Sequence, residues 1–288
     1  MTLYNIAMIK IPVQTYDSVE DILDNIDIIA EEFKKSSIVC VRGINATIEE
    51  QLEITKNLGD VLGWAPNSKS DFYQEYTENH SRSPLAANST GDEVILNWHL
   101  EHPDYDKYAP LVAGIWNMQK FTCSSNVGMT YFMDSRDVYE GLFSELEKAF
   151  LRKAEAVWTE PYVDGGDFTN TAKVVDRHWL DGREQIRLEM LFSVRLFKFD
   201  EQDPTDDQEA FFQELVSKFI SEVDTNTNLR IVHNWQEGDL LIPDLYTMAH
   251  AVTGGFLPEE REFTGLWCYF GVEEAIKNGN THPSWNFS

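Results

Sequence analysis

The chain has 288 residues, and 49 Asp and Glu residues against 23 Lys and Arg residues give it a formal net charge of −26. Nucleic acids and anionic membrane faces are therefore excluded as expected partners, because most of the surface repels a polyanion. Hydrophobic residues make up 42% of the chain, which is enough to bury a sizeable core in one domain over residues 1–288.

Cysteine usage and the opening residues predict where the protein resides. Cys40, Cys123 and Cys268 are odd in number, widely spaced and set among apolar residues, so we expect reduced thiols rather than a disulfide framework. The opening residues lack a basic leader with a long apolar core, and no apolar run approaches the ~18 residues of a membrane span. We therefore expect a cytoplasmic protein that is not inserted in a membrane.

The first part of the chain predicts a mixture of helix and strand. Apolar residues recur at helical spacing over 18–34, after a capping-box-like start at Ser18, and residues 38–41 are an apolar run typical of a buried strand. A second capped helix begins at Thr47 and is expected to end near Gly59. Residues 64–93 are polar and show little periodicity, which predicts a long loop that could act as an active-site lid.

Strands outnumber helices in the rest of the chain. Apolar or alternating runs predict strands at 111–118, 128–132, 174–176, 185–189, 191–199, 229–233, 240–243 and 264–270. Asp181 and Gly182 are a hairpin signal, and helices are predicted over 135–150 and 206–223. No repeat or Pro/Gly/Ser linker divides the chain, so we expect a mainly β fold, with helices flanking one β-sandwich or barrel.

Four of the seven histidines show no pattern that points to chemistry. His80, His178 and His282 lie in polar or terminal stretches, so we expect them at the surface. His233 lies in an apolar strand close to Trp235, which is typical of a core histidine rather than of a metal ligand.

The run NWHLEH at positions 97–102 is different. Residues two apart in an extended strand face the same side, so His99 and Glu101 can place an imidazole and a carboxylate on one metal ion. Such a pair is common by chance and needs a second signal. Downstream, His250 at a strand end and Arg261 on the following strand would supply a third ligand and a clamp for a carboxylate.

With these residues in this order, the sequence resembles the taurine dioxygenase family of iron- and 2-oxoglutarate-dependent oxygenases over residues 38–270. The matching motifs are Asn-Trp-His-x-Glu at 97–101, Gly-x-Thr at 128–130 with Tyr-Glu at 139–140, Trp235 with Asp239, His250, and Leu-Pro-x-x-Arg at 257–261. The resemblance implies a double-stranded β-helix core of the jelly-roll or cupin-like kind.

Residue by residue, the resemblance implies that His99, Glu101 and His250 bind Fe(II). It also implies that Thr130 bonds a carboxylate of 2-oxoglutarate and that Arg261 pairs with the far carboxylate. The implied reaction consumes 2-oxoglutarate and O2, forms succinate and CO2, and oxidises a C–H bond of a small-molecule substrate, usually by hydroxylation. Halogenation is disfavoured, because related halogenases have a small residue where this chain has Glu101.

Three positions bear on the substrate and the surroundings of the metal. Gly265 stands where the family archetype places an arginine on the sulfonate of its substrate, so taurine is a poor candidate. Glu101 in place of aspartate resembles the clavaminate-synthase-like branch, in which many members oxidise amino acids, so an amino acid or secondary metabolite is a candidate substrate class. His102 should face away from the metal in a regular strand, which favours a supporting role.

Other functions fit part of the pattern. The same three ligands could bind zinc in a hydrolase, although this leaves Thr130 and Arg261 unexplained. A metal-binding sensor or structural protein without turnover is a further alternative. Within the oxygenase hypothesis, desaturation and cyclisation stay open beside hydroxylation, and no feature of the sequence indicates the oligomeric state.

Overall fold

A computed structural model describes residues 10–66, 86–87, 93–101, 111–124, 127–163, 166–188, 193–254, 256 and 260–278. Its strands are β1 Val13–Thr15, β2 Ile38–Arg42, β3 Trp64–Pro66, β4 Ala86–Ala87, β5 Glu93–His99, β6 Leu111–Phe121, β7 Thr130–Asp134, β8 Ala154–Val163, β9 Gly166–Lys173, β10 Val175–Arg177, β11 Glu184–Ile186, β12 Ser193–Phe199, β13 Ile231–His233, β14 Leu240–Pro243, β15 Met248–Thr253 and β16 Arg261–Phe270. Its α-helices are α1 Val19–Asp24, α2 Ile26–Ser36, α3 Ile48–Leu62, α4 Ser135–Leu142, α5 Glu145–Leu151, α6 Asp206–Thr225 and α7 Val272–Lys277.

Two sheets form the centre of the fold. One has the strand order β1-β2-β14-β6-β16-β3 and the other has the order β13-β7-β15-β5-β4. Their inner faces meet through aromatic side chains, since the Trp116 ring on β6 lies 5.9 Å from that of Phe132 on β7 and 5.3 Å from that of His250 on β15. The predicted mainly β, jelly-roll architecture is confirmed.

Helices α1 to α3 cover the outer face of the six-stranded sheet, where Ile22, Ile29 and Phe33 pack with the outward residues of β2 and β14. The single helix predicted over 18–34 is wrong in one respect, because it breaks at Asn25. The Asn25 side chain donates to the Asp21 carbonyl at 2.8 Å, and its backbone has φ −112° and ψ 18°. An asparagine side chain that bonds a nearby backbone carbonyl in this way competes with the helical hydrogen bonds, which favours a break in the helix.

Helix α3 begins as predicted, with Thr47 and Glu50 forming a capping box. Its predicted end near Gly59 is wrong, because the helix continues to Leu62 and Gly63 adopts the left-handed conformation. Gly59 has another role inside the helix, since a Cβ there would lie 2.5 Å from the carbonyl oxygen of Trp64. The glycine lets the chain fold back closely over the helix.

The outer face of the five-stranded sheet is covered by a third sheet, with the order β12-β8-β9, and by helices α4 to α6. Strands β8 and β9 were not predicted. The helix predicted over 135–150 is two helices, because Phe143 is extended and Ser144 starts α5 with its own capping box. The hairpin predicted at Asp181 and Gly182 is confirmed by the antiparallel pairing of β10 with β11.

The predicted lid at 64–93 falls largely outside the described residues. At its borders, β3 pairs with β16 and β4 pairs with β5. Within the described ranges, no helix is both long and apolar enough to cross a membrane.

Candidate metal and co-substrate site

His99 and His250 stand opposite each other at the centre of the sandwich. They are direct partners in the antiparallel pairing of β5 with β15, and their ring centroids lie 4.0 Å apart. Both residues are buried. His250 was predicted at a strand end, which is wrong: β15 continues beyond it to Thr253, because it pairs with β7 on one side and with β5 on the other.

Glu101 follows just after the end of β5 and turns its carboxylate toward both imidazoles. Its Oε1 atom lies 3.5 Å from Nε2 of His99 and 3.5 Å from Nε2 of His250. One potential ligand atom from each of the three residues lies within 4.8 Å of the other two. Neighbouring ligands on an ion with bonds of about 2.1 Å are separated by about 3 Å, so a small closure of this triangle would hold a metal.

The protonation states at this site suit a divalent metal. Burial opposes ionisation of Glu101, but the hydrogen-bonding and electrostatic effects of His250 and His99 outweigh it and hold the pKa of the carboxyl well below its usual value. Burial, together with the nearby His99, lowers the pKa of His250. A deprotonated carboxylate beside a neutral imidazole is the state that metal binding requires.

Thr130 lies on the same face of the five-stranded sheet as His250. In the pairing of β7 with β15, Phe132 is the partner of His250 and Thr130 is the partner of Val252. Thr130 therefore lies two residues from the partner of His250 and faces the same side of the sheet. Its hydroxyl oxygen accepts a hydrogen bond from the indole nitrogen of Trp235 at 3.0 Å. This bond occupies an acceptor position of the hydroxyl and leaves its hydrogen available to a ligand.

Arg261 at the start of β16 is a buried cation that forms no ion pair with any carboxylate in the described part of the chain. Its guanidinium lies 4.8 Å from the ring centroid of Phe263, 5.4 Å from that of Phe256 and 5.8 Å from that of Trp235. Its Nε atom has no hydrogen-bond partner, and no carboxylate among the described residues forms an ion pair with it. Burial lowers the pKa of Arg261 from 12.5 to about 10. A group in this condition fits a carboxylate ligand.

Gly128 makes room for the stem of Arg261. Its φ is +67°, and a Cβ at this position would lie 3.3 Å from Cδ of Arg261 and 3.2 Å from Sγ of Cys123. Any larger residue would therefore have to displace the arginine stem or the thiol. The glycine was noted in the sequence only as part of a motif, and nothing in the sequence pointed to its contact with Arg261.

A second group of possible metal ligands lies between the sheets, but an ion pair with an arginine accounts for its carboxylate without a metal. Cys40, His233 and Asp239 offer atoms within 4.8 Å of one another. Both carboxylate oxygens of Asp239 are already held by Arg42, at 2.7 Å from Nε and 3.0 Å from Nη2. The guanidinium thus takes the place that a cation would need. His233 is buried, as predicted for a core histidine.

His178 was predicted at the surface, and this is wrong, because its side chain is fully buried. Its Nε2 atom lies 2.6 Å from Oδ2 of Asp244, a partner distant in the sequence. Nothing in the sequence near His178 or Asp244 indicates this pairing, except that each residue precedes a turn. His80, His102 and His282 lie outside the described residues.

Gly265 lies on β16 as the direct partner of Trp116 on β6. The Trp116 ring lies 5.3 Å from that of His250, so the strand partner of this glycine reaches one of the candidate ligands. No side chain reaches toward the site from position 265.

Known proteins share this architecture. AAD-2, solved in complex with Mn(II) and N-oxalylglycine, has 12% sequence identity and a TM-score of 0.62, with 90% of this chain and 94% of that chain covered. A taurine dioxygenase from Burkholderia xenovorans has 14% identity and a TM-score of 0.59, with 86% of this chain and 80% of that chain covered. At such low identities these likenesses show the fold alone. Among curated proteins, none matches the sequence significantly.

The family comparison is more specific. A family model described as "Taurine catabolism dioxygenase TauD, TfdA family" matches residues 11–267, which is most of the chain. The chain therefore belongs to the TauD, TfdA family, and it is an Fe(II)- and 2-oxoglutarate-dependent dioxygenase.

Proposed function

We propose that His99, Glu101 and His250 bind the catalytic Fe(II) through Nε2 of each imidazole and one carboxylate oxygen. The proposal is supported by the 3.5 Å distances from Oε1 of Glu101 to the two Nε2 atoms and by the lowered pKa of both Glu101 and His250. Two histidines and one carboxylate are the donor set with which proteins hold a non-heme Fe(II) that would react with O2.

Thr130 and Arg261 hold 2-oxoglutarate in this proposal. Arg261 pairs with the carboxylate far from the metal, and the Thr130 hydroxyl donates its hydrogen to the same ligand. The observation that carries the assignment is the buried Arg261 guanidinium. Its Nε has no hydrogen-bond partner among the described residues, and it lies close to the Trp235 ring that bonds Thr130. The aromatic rings around the guanidinium exclude water, so a carboxylate arriving there forms a strong, oriented ion pair.

Bound iron supplies the coupled reaction in which 2-oxoglutarate and O2 become succinate and CO2 while a C–H bond of the substrate is oxidised. The chain's own residues contribute position. Glu101 and His250 keep the protonation states that metal binding needs, and Arg261 fixes one end of the co-substrate so that its other end faces His99 and His250. Which C–H bond reacts depends on how the substrate is held beside these residues.

We propose a small-molecule substrate other than taurine, hydroxylated at a C–H bond. Gly265 offers no cation for a sulfonate beside Trp116, which supports the exclusion of taurine. The glutamate ligand Glu101 favours an amino acid or a secondary metabolite, by resemblance to the clavaminate-synthase-like branch. A mass-spectrometric screen of these compounds would show a gain of ~16 mass units for hydroxylation or a loss of ~2 for desaturation or ring closure.

Two further parts of the proposal concern the whole chain. We propose one catalytic domain in a reducing, cytoplasmic setting, supported by the free thiols of Cys40, Cys123 and Cys268, two of which are buried. The charge of −26 argues against a nucleic-acid partner.

The test separates the oxygenase from a zinc hydrolase and from a protein without turnover. Purified protein loaded with Fe(II) should convert 2-oxoglutarate to succinate only when O2 is present, even without a prime substrate. Calorimetric titration should show loss of metal binding in His99→Ala and weakened co-substrate binding in Arg261→Ala. Unchanged affinities in both variants would contradict the assignment.

A further inference from the structure

His178 lies in a buried polar network outside the proposed metal site. Its Nε2 atom is 2.6 Å from Oδ2 of Asp244, and both side chains are fully buried. Its Nδ1 atom is 2.9 Å from Oδ1 of Asp181 and 3.2 Å from Nη1 of Arg136. The imidazole is therefore fixed at both nitrogens. Its Nε2 atom is a hydrogen-bond partner of the buried Asp244 carboxylate.

Asp244 organises the turn between β14 and β15. Its backbone N–H donates to the Ser37 carbonyl at 2.8 Å, and its Oδ1 atom accepts the backbone N–H of Tyr246 at 3.0 Å. Its own carbonyl accepts the backbone N–H of Met248 at 2.8 Å. Side chain and main chain of this aspartate thus set the direction in which β15 begins.

The turn reaches His250 through one more contact. The Met248 carbonyl oxygen lies 3.5 Å from Nδ1 of His250, where it can accept the ring hydrogen and leave Nε2 for a ligand. A carbonyl at this nitrogen orients a metal-binding imidazole. The contacts therefore run from His178 to Asp244, then to Met248, then to His250.

We propose that His178 is a positioning residue for the metal centre, holding the Asp244 turn so that β15 presents His250 to the ion; this rests on the proposed function. Without the imidazole, the Asp244 carboxylate is left buried and short of a donor. Such a group seeks new partners or water, which displaces the turn. His178 touches none of the three ligands, and it acts through the segment that carries one of them.

The probe is Mn(II) alone, titrated into metal-free full-length protein and followed by the electron paramagnetic resonance of the free ion. His178→Ala should weaken Mn(II) binding about 10-fold, the low end of what lost support for a metal ligand costs. His178→Gln should recover most of the affinity, because its amide nitrogen can reach the position of Nε2 and donate to Asp244. Retained wild-type affinity in His178→Ala would overturn the proposal.

A control separates positioning from loss of stability. Leu215 is buried on α6, and its apolar side chain takes no part in the hydrogen bonds of the turn. Leu215→Ala should lower the free energy of unfolding, because it leaves a cavity in the core, and should leave the Mn(II) affinity unchanged. If it weakens Mn(II) binding as much as His178→Ala while both proteins remain folded by circular dichroism, the specific role of His178 is refuted.

Asp244→Asn serves if His178→Ala does not fold. It keeps the volume and removes the charge that faces His178, and it should weaken Mn(II) binding in the same direction; wild-type affinity in this variant would also overturn the proposal. Failure of the proposed function looks different, because the wild-type protein would then bind no Mn(II), or His99→Ala would bind it as tightly as the wild type.

Discussion

Trp235 donates its indole hydrogen to the hydroxyl of Thr130 at 3.0 Å, and the same ring lies 5.8 Å from the guanidinium of Arg261. One side chain thus contacts both residues proposed to hold 2-oxoglutarate. We expect the indole to fix the hydroxyl orientation and the ring to shield the guanidinium from water.

Trp235→Phe removes the donor and keeps an aromatic ring. We expect the Kd for N-oxalylglycine in Mn(II)-loaded protein to rise about 3- to 10-fold, as for the loss of one hydrogen bond of about 0.5–1.5 kcal/mol. Calorimetry provides the measurement. The matched control is Trp158→Phe, since the Trp158 indole nitrogen has no hydrogen-bond partner in the described part of the chain. An unchanged Kd in Trp235→Phe would contradict the role of this bond.

Arg261→Met should weaken co-substrate binding without lowering the free energy of unfolding. No carboxylate of the described ranges pairs with the buried guanidinium, so its charge costs free energy in the absence of ligand. We therefore expect this variant to unfold in urea at an equal or higher concentration than wild type. N-oxalylglycine should raise the Tm of the wild type and leave that of the variant unchanged.

The contrasting control for that experiment is Arg42→Met. Arg42 holds both oxygens of the fully buried Asp239, so its loss should lower the free energy of unfolding by about 1–3 kcal/mol. A comparable loss of stability in Arg261→Met would show that Arg261 has a counter-ion in the protein itself.

Gly128→Ala tests whether the glycine makes room for Arg261. A left-handed φ of +67° costs alanine about 1–2 kcal/mol, and the added methyl group also presses on Cδ of Arg261. Gly271 has a φ of +70° and nothing within 4 Å of an added Cβ. We expect both alanine variants to lose similar stability and only Gly128→Ala to bind N-oxalylglycine more weakly. Equal affinities of the two variants for N-oxalylglycine would show that the close approach of Gly128 to Arg261 does not matter for co-substrate binding.

His178 should make stability depend on pH. Burial and Arg136 oppose its charge, but Asp244 and Asp181 outweigh them and raise the pKa of the imidazole above 6.5 in the folded protein. Its charged form therefore stabilises the fold fully below the unfolded pKa of about 6.5, and this contribution is lost as pH rises through the higher folded pKa.

Urea denaturation at a series of pH values measures this effect. The difference in unfolding free energy between wild type and His178→Gln should be largest at acidic pH and should shrink as the pH rises through the raised pKa. A difference that stays constant from about pH 6 to pH 9 would mean that the imidazole holds no extra proton in the fold.

The fold class and the candidate metal ligands were both predicted from the sequence, and the fold class is confirmed. His99 and Glu101 are two apart, and this spacing is local, so it was visible in the sequence. The lack of an ion pair between Arg261 and any described carboxylate was not visible in the sequence, because it depends on which carboxylates from distant segments approach the guanidinium. The pairing of His178 with Asp244 was missed for the same reason, since a histidine in a polar stretch shows no sign of its distant partner.

Errors in the elements also have local causes. The break at Asn25 comes from a side chain that donates to the Asp21 carbonyl, within a run whose apolar spacing alone favours one helix. Gly59 was interpreted as the end of a helix, although it is the site where Trp64 approaches the helix closely. In both cases the residue type was informative, and its role depended on a contact with a residue four or five positions away.

The segment from Asp244 to His250 lies between two imidazoles whose pKa values the protein shifts in opposite directions. One is His178, which contacts Asp244, and the other is His250 itself. The pKa of His178 is raised beside Asp244, whereas burial lowers that of His250. In the folded protein His250 therefore loses its proton at a lower pH than His178 does, and its lone pair is available while His178 is still charged. A short turn thus lies between an imidazole whose charged form the fold favours and an imidazole whose neutral form suits a metal cation.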